Sequence, residues 1–431
     1  MKNAPVYKSR SGWNALLPER RPKTELPSER RFRSIVVGAG FTGLAIARRL
    51  AELVPGEEIL LIEASTIGEG ASGRNSGYLL INPGEPSANA ADFAEDWAAR
   101  QMAIAREGFQ LLRSLVASQS IDCDWNETPL AITAAATPRV EKTARETRRT
   151  YEEWGLIPKE YDSHDLQRTT GTGYYRYGLQ SLTRALVQPA ALHRGLADSL
   201  PAAVKLLEGA TVHALGKTAP FTVETSRGDF LADRLFIANN LHARSLGIAR
   251  NRMVGIYTYG AFTPELDERE FEQLGEEADW GILPAHRMGT TMRKTGRRLL
   301  IRSGDSYEKE LEPDEARRML TGLYRNRYPH MRRHEFEHVW GGLTAVTHNG
   351  GFYFGRVQPG IYASVGCGGS GVVRGTIQGK LLAELACGVE SPLLSDRLKI
   401  KGPIWLPPEP FRGIAARLQI AAEQRQAGRE R

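Results

Sequence analysis

The chain has 431 residues, 41% hydrophobic and 25% charged, a globular composition that excludes a disordered or collagen-like chain and suggests two to three domains at ~150 residues each. Three cysteines (Cys123, Cys367, Cys387) without a CxxC pair exclude a disulfide scaffold and make a cytoplasmic location the expectation, and no apolar run reaches the ~18 residues that span a bilayer. The net charge of +7 sits at the ends, with nine Lys/Arg against three Asp/Glu before residue 34, five against two after residue 410, and −2 between, so we expect solvated basic tails and no nucleic-acid partner.

Residues 34–37 (SIVV) are a continuous apolar run, which predicts a strand buried on both faces. Residues 42–54 have helical spacing, with Leu44, Ala47, Leu50 and Val54 on one face, and 58–62 (EILLI) predict a second buried strand. This is a β–α–β unit with a right-handed crossover. Arg30-Arg31 ahead of it has the form of a twin-arginine export signal, but cleavage there would remove the unit, so the run reads as fold. Helices follow at about 91–118, 138–154 and 187–199, the last opened by Pro189. Short strands occupy 203–240, and further strands are expected at 252–263 and 298–302 around a charged helical segment, 264–278. A charged helix at 312–325, strand character over 351–365, a glycine loop at 366–371 and a helix at 372–387 come next. Pro403, Pro407, Pro408 and Pro410 mark an irregular exit before a basic amphipathic helix. The expected plan is α/β (α+β overall), a Rossmann-like domain interleaved with an antiparallel-sheet domain. The first takes 34–95, 180–247 and 336–402, the second 96–179 and 248–335, with a basic extension over 1–33 and the proline-rich exit and helix over 403–431.

The strongest motif is Gly38-Ala39-Gly40-Phe41-Thr42-Gly43, between the first strand and its helix, with Glu63 ending the second strand 20 residues after Gly43. In that context it is the dinucleotide-binding fingerprint. Gly38 permits a tight turn, Gly40 lets backbone approach a pyrophosphate, and Gly43 lets helix and strand pack closely. The helix N-terminus offers N–H groups to phosphates, and Glu63 accepts from ribose hydroxyls while repelling a 2′-phosphate. FAD and NAD share this fingerprint. The following Gly68-Glu69-Gly70-Ala71-Ser72-Gly73-Arg74-Asn75-Ser76-Gly77 is too glycine-rich for a helix and suits an extended polar ligand.

Here the chain resembles the FAD-dependent D-amino-acid oxidase/glycine oxidase superfamily, whose members carry a GASGRNxG-like stretch, and is most similar to its γ-glutamylputrescine oxidase-like branch. The resemblance continues through Gln188-Pro189-Ala190-Ala191-Leu192, Ala210-Thr211-Val212, Phe236-Ile237-Ala238-Asn239-Asn240, Trp340-Gly341-Gly342 to Thr347, Gly350, Gly355-Arg356, and Gly366-Cys367-Gly368-Gly369-Ser370-Gly371. It covers 34 to about 390. His348-Asn349 replaces the family's frequent Pro-Asp, and Ser370 its frequent His, so the resemblance leaves the substrate class open.

The resemblance implies a glycine oxidase-like fold and FAD held by Gly38, Gly40, Phe41, Thr42, Gly43, Glu63, Ala64, Ser72, Gly73, Arg74, Asn75, Ser76, Val212, Ala238, Asn239, Gly355, Gly368, Gly369, Ser370, Gly371 and Val372. The helix after the closing loop would aim its positive end at the reduced flavin. Arg374 there is either a buried residue with a polar partner or a surface arginine. Cys367 reads as a small buried residue rather than a flavin attachment, so non-covalent FAD is expected. His330, His334 and His338 have i, i+4, i+8 spacing, but Pro329 and the surrounding arginines favour a solvated segment over a metal site.

On the substrate side Arg302 is either an anion anchor or a strand-edge residue, and Tyr257 and Tyr259 either wall a pocket or fill the core. His348 either accepts the amine proton or is structural. The expected activity is FAD-dependent oxidation of the C–N bond of an amine or amino acid, γ-glutamyl and secondary amines included. Hydride would pass to flavin N5, the imine would hydrolyse, and oxygen or another acceptor would reoxidise the flavin. The alternatives are a flavin-dependent hydroxy-acid dehydrogenase and a non-catalytic, membrane-peripheral flavin protein. The C-terminal segment 411–431 is expected to be peripheral to catalysis.

Overall fold

The computed structural model describes residue 4 and residues 6–83, 97–331 and 334–431. Strand Arg31–Val37 lies between parallel strands Ile59–Ile62 and Phe230–Ile237. Val204–Leu207 and Ile361–Val365 extend this parallel core on either side. Tyr353–Gln358 closes one edge antiparallel, and the Val212–Leu215/Phe221–Thr225 pair hangs antiparallel from Phe230–Ile237. The unbroken apolar runs have their cause here: Ile35, Val36, Ile59, Leu60 and Leu61 are wholly buried, under helices on one face and the antiparallel strands on the other. Each such side chain contributes roughly 1.5–3 kcal/mol by leaving water.

Helices Phe41–Leu53 and Val373–Ala386 lie against one another on this sheet. Their approach depends on Gly379, where a Cβ would stand 2.3 Å from the Thr42 carbonyl oxygen. Both helices therefore begin at the same end of the sheet, the end where the parallel strands have their carboxyl termini. That is where open α/β sheets take ligands.

The second sheet has the order His338–Val346, Val254–Phe262, Arg298–Tyr307, Thr291–Thr295, Trp280–Pro284, Leu130–Ala135, Tyr177–Gln180, Glu160–Tyr161. It is antiparallel except between Trp280–Pro284 and Leu130–Ala135. The strand His338–Val346 pairs with Val254–Phe262, so 338–346 belongs to this sheet and not, as the sequence suggested, to the parallel domain. The charged helix expected over 264–278 shrinks to Glu268–Glu272, fixed by a reciprocal cap between Asp267 and Glu270. The helix expected at 91–118 is seen as Trp97–Ser118; 91–96, and with them the proposed domain boundary at 95, lie outside the described residues.

Most charged residues of the tails are exposed, as expected, but both tails are also anchored to the folded body. Trp13 is buried edge-on against Phe262 at 4.8 Å, in a cluster with Trp340 and Ala190. Ser11 Oγ donates to the Gly73 carbonyl at 2.7 Å, and the Lys8 amide donates to Glu310 at 3.0 Å. At the other end, helix Phe411–Ala427 leads to a buried Glu430 whose carboxylate accepts from the amides of Ala136 and Thr137. Both ends close onto the second sheet, so the basic excess there is compatible with tight docking.

Candidate active site

A cavity of about 450 Å3 runs from the carboxyl ends of the parallel strands to the face of the second sheet. Val37, Ile62, Ala238 and Val365, each at or just past a strand end, form its floor. Gly38, Gly40, Phe41 and Thr42 of the first glycine turn line it, with Glu63 and Ala64 beside them. Ser72, Arg74, Asn75 and Ser76 of the second loop form one wall, and Val212, Ala238 and Asn239 another. Gly368, Gly369, Ser370, Gly371 and Val372 line the far end.

Three residues expected at the cofactor do not line the cavity. A Cβ on Gly43 would stand 1.8 Å from the Gly38 carbonyl oxygen, and one on Gly73 would stand 2.0 Å from that of Gly68. These two glycines shape their turns from behind. Gly355 lies on the edge strand Tyr353–Gln358, opposite Ala363, and Phe352 lines the cavity in its place.

The chemistry of the cavity suits a dinucleotide. Helices Phe41–Leu53 and Val373–Ala386 both start without a side-chain cap, so two positive helix ends open on one space. Glu63 accepts from the Ala39 amide at 2.9 Å and the Ser65 amide at 3.0 Å, one on each oxygen. Burial raises its pKa and these amides oppose the rise. The carboxylate retains lone pairs for ribose hydroxyls. Asn239 Oδ1 is buried without a protein partner at the cavity wall, an acceptor suited to a ligand donor.

Several contributors carry no local sequence signal. His193, from helix Pro189–Asp198, reaches between the two glycine loops; its Nδ1 accepts from the Gly68 amide at 3.1 Å and its Nε2 lies 2.8 Å from the Ala39 carbonyl oxygen. The first contact assigns the proton to Nε2, which then donates to Ala39. Burial lowers the His193 pKa to about 4. Asn240 clamps the closing loop, its Oδ1 accepting from the Gly366 amide at 2.9 Å and its Nδ2 approaching Cys367 Sγ at 3.4 Å. Tyr7 enters the cavity from the N-terminal segment, with the Arg74 guanidinium 3.7 Å above its ring. Arg74 also donates to the carbonyls of Glu69, Gly341 and Ser9, so it ties three segments together. Arg374 is buried, donates to the Asn82 carbonyl at 2.7 Å and has its pKa lowered to about 10 by burial. Cys367 is at the wall, where burial raises its thiol pKa.

At the second sheet, Arg302 projects into the cavity. Its Nε donates to Thr258 Oγ1 at 3.2 Å across neighbouring strands. No carboxylate forms an ion pair with it among the described residues, and burial lowers its pKa, with Asp305 partly opposing this. A guanidinium in that setting can receive a ligand anion.

The tyrosines and the histidine are corrections. Strand alternation brings Thr258 to the cavity and turns Tyr257 and Tyr259 away from it. Tyr259 is buried in the core behind the sheet, its hydroxyl bonded to Ser306 Oγ at 2.6 Å and accepting from the Leu311 amide at 2.8 Å. Tyr257 packs edge-on to Tyr7 at 6.3 Å. His348 is exposed in the turn after His338–Val346 and lines nothing in the cavity. His334 meets Glu270 at 2.7 Å outside any helix, and the described residues contain no group of three or more potential metal ligands.

A family model described as FAD dependent oxidoreductase matches residues 33–385. The chain belongs to that family. Its cofactor is FAD, and it is a flavin-dependent oxidoreductase with the mixed α/β fold of glycine oxidase-like flavoenzymes. It is 26% identical over 373 residues to the gamma-glutamylputrescine oxidoreductase of Escherichia coli (strain K12), covering 82% of this chain and 83% of that one. It is 28% identical over 414 residues to the probable oxidoreductase OrdL of Rhizobium meliloti (strain 1021), covering 92% and 93%. Among solved structures, glycine oxidase from Geobacillus kaustophilus superposes with a TM-score of 0.71 at 18% identity, covering 84% of this chain and 96% of that one. No described helix is long and apolar enough to cross a membrane.

Proposed function

We propose that this flavoenzyme oxidises the C–N bond of a carboxylate-bearing amine, an amino acid or a γ-glutamyl amine, with Arg302 holding the carboxylate. The observation that carries the reading is Arg302 itself: a cation with no carboxylate ion pair among the described residues, held by Thr258, in the same cavity as the dinucleotide-type loops. The names of the E. coli relative and of the glycine oxidase neighbour favour an amine over an alcohol donor. FAD, when bound, supplies the two-electron acceptor.

The chain's own groups would orient and exclude. Arg302 fixes one end of the substrate by charge-assisted hydrogen bonds, and Thr258 fixes Arg302. Leu283, Leu343 and Thr291 make the surrounding wall largely apolar, which strengthens that contact. The lining contributed by the second sheet includes no Asp, Glu or His among the described residues. The amine would therefore enter neutral, its proton left in water rather than on a side chain. The resulting imine would be hydrolysed by water.

The test is anaerobic reduction of the bound flavin by a panel of amino acids, γ-glutamyl amines and 2-hydroxy acids. Bleaching by a carboxylate-bearing amine is the expected result. Bleaching by hydroxy acids alone would overturn the reading.

A further inference from the structure

Helix Phe411–Ala427 turns its largest apolar side chains to solvent. Its outward face carries Phe411, Ile414, Ala415, Leu418, Ala421 and Ala422, one stripe at i, i+3, i+4, i+7 spacing. Phe411, Ile414 and Leu418 are 66%, 52% and 67% exposed. The inward face carries Gly413, Ala416, Glu423, Gln424 and Ala427, with the half-buried Ile420 as its one large apolar side chain. Gly413 and Ala427 are buried, Gln424 donates to the Asp305 carbonyl at 3.3 Å, and Glu423 pairs with Arg287 at 2.9 Å. Polar contacts, the half-buried Ile420 and Arg417 over the Tyr307 ring hold the helix to the protein, while Phe411, Ile414 and Leu418 face out.

In the segment before the helix, Trp405 is 59% exposed. The Leu406 amide donates to the Asn251 carbonyl at 2.7 Å, and Arg412 donates to Asn251 Oδ1 and the Arg250 carbonyl. Trp405 and the start of the helix therefore stand on the same short support.

The charges sort by side. The two acids after residue 410, Glu423 and Glu430, turn inward, the first onto Arg287 and the second onto the Ala136 and Thr137 amides, whereas Glu409 just before the helix stays exposed and pairs with Arg412. Arg417 and Arg425 remain exposed beside the stripe. An outward face of Phe, Ile, Leu and Trp whose one adjacent exposed acid, Glu409, is paired with Arg412, and whose Arg417 and Arg425 have no acid partner among the described residues, is complementary to an anionic lipid surface.

We propose that this helix docks the enzyme on anionic membrane surfaces, lying in the interface with Phe411, Ile414, Leu418 and Trp405 inserted. The surface is separate from the cavity: none of these residues lines it. Binding follows from apolar insertion plus charge attraction, so it needs both.

The experiment is flotation of the full-length, FAD-loaded protein with phosphatidylglycerol vesicles and with phosphatidylcholine vesicles. The expected result is co-flotation with the anionic vesicles, at least about tenfold weaker with the zwitterionic ones or in 0.5 M salt. The triple variant Phe411→Ser/Ile414→Ser/Leu418→Ser should lose co-flotation by a similar factor while keeping its flavin spectrum and turnover. Arg417→Gln/Arg425→Gln should weaken binding to anionic vesicles only. Three results would overturn the proposal: no flotation of the unmodified protein, equal flotation of the triple variant, or a dimer by light scattering that the triple variant abolishes while vesicles go unbound.

Discussion

The imidazole Nε2 of His193 lies 2.8 Å from the carbonyl oxygen of Ala39 and, with Nδ1 accepting from Gly68, spans the two glycine loops of the cofactor cavity. The bridge works only with a neutral ring, because a protonated Nδ1 cannot accept from the Gly68 amide. The folded-state pKa of about 4 lies below the ordinary value of 6.5, since burial disfavours the cation.

As pH falls, the unfolded chain therefore takes up this proton before the folded one. The contribution is whole above about 6.5 and is lost between there and about 4, on the order of 3 kcal/mol in total. Thermal unfolding followed from pH 7 to pH 4 should show a shallower loss for His193→Asn than for the unmodified protein. His193→Ala should also bind FAD more weakly, by gel filtration and absorbance. Parallel pH profiles would show that the ring carries no such linkage.

Tyr259→Phe separates core from site. The hydroxyl bonds Ser306 and Leu311, and its loss strands the Leu311 amide, at a cost of about 1–3 kcal/mol. Urea denaturation should register that loss, while the rate of anaerobic flavin reduction stays within about twofold. His348→Ala, in an exposed turn, should change neither. A large fall in reduction rate in either variant would return that residue to the site.

Glu430 ties the C-terminus to the second sheet. Its carboxylate accepts from the amides of Ala136 and Thr137 and from Thr137 Oγ1, and Thr137 caps helix Pro138–Glu153. Arg327 and Thr290 donate to its carbonyl oxygen. Glu430→Ala leaves one buried and one part-buried amide without acceptors, and about 2 kcal/mol of stability should go with them. A change in the urea midpoint is the readout. An unchanged midpoint would show that Glu430 does not anchor the C-terminus.

The cofactor half was legible in the sequence because its information is local. A strand, a glycine turn and a helix follow one another within 34–54, and most residues of the two glycine loops named from the motif line the cavity. The substrate half depends on which face of a strand meets the cavity, and alternation alone does not fix the phase. The register of Val254–Phe262 shifts between Tyr257 and Tyr259, and Thr258 is the residue that faces Arg302. Tyr7 and His193 reach the cavity from segments far away in the chain, through packing that leaves no pattern. Gly355 matched a motif but sits on an edge strand, because the cavity wall at that point comes from Phe352.

The central claim is that Arg302 recognises a substrate carboxylate beside FAD. Anaerobic flavin reduction by Arg302→Ala, with a carboxylated amine and its decarboxylated counterpart, measures it directly. A bidentate, partly desolvated contact is worth about 2–4 kcal/mol, so kcat/KM should fall roughly 30- to 1000-fold for the carboxylated amine. The decarboxylated amine should be hardly affected, and FAD content should be normal. Equal losses for both amines would contradict the account and place the anion anchor elsewhere.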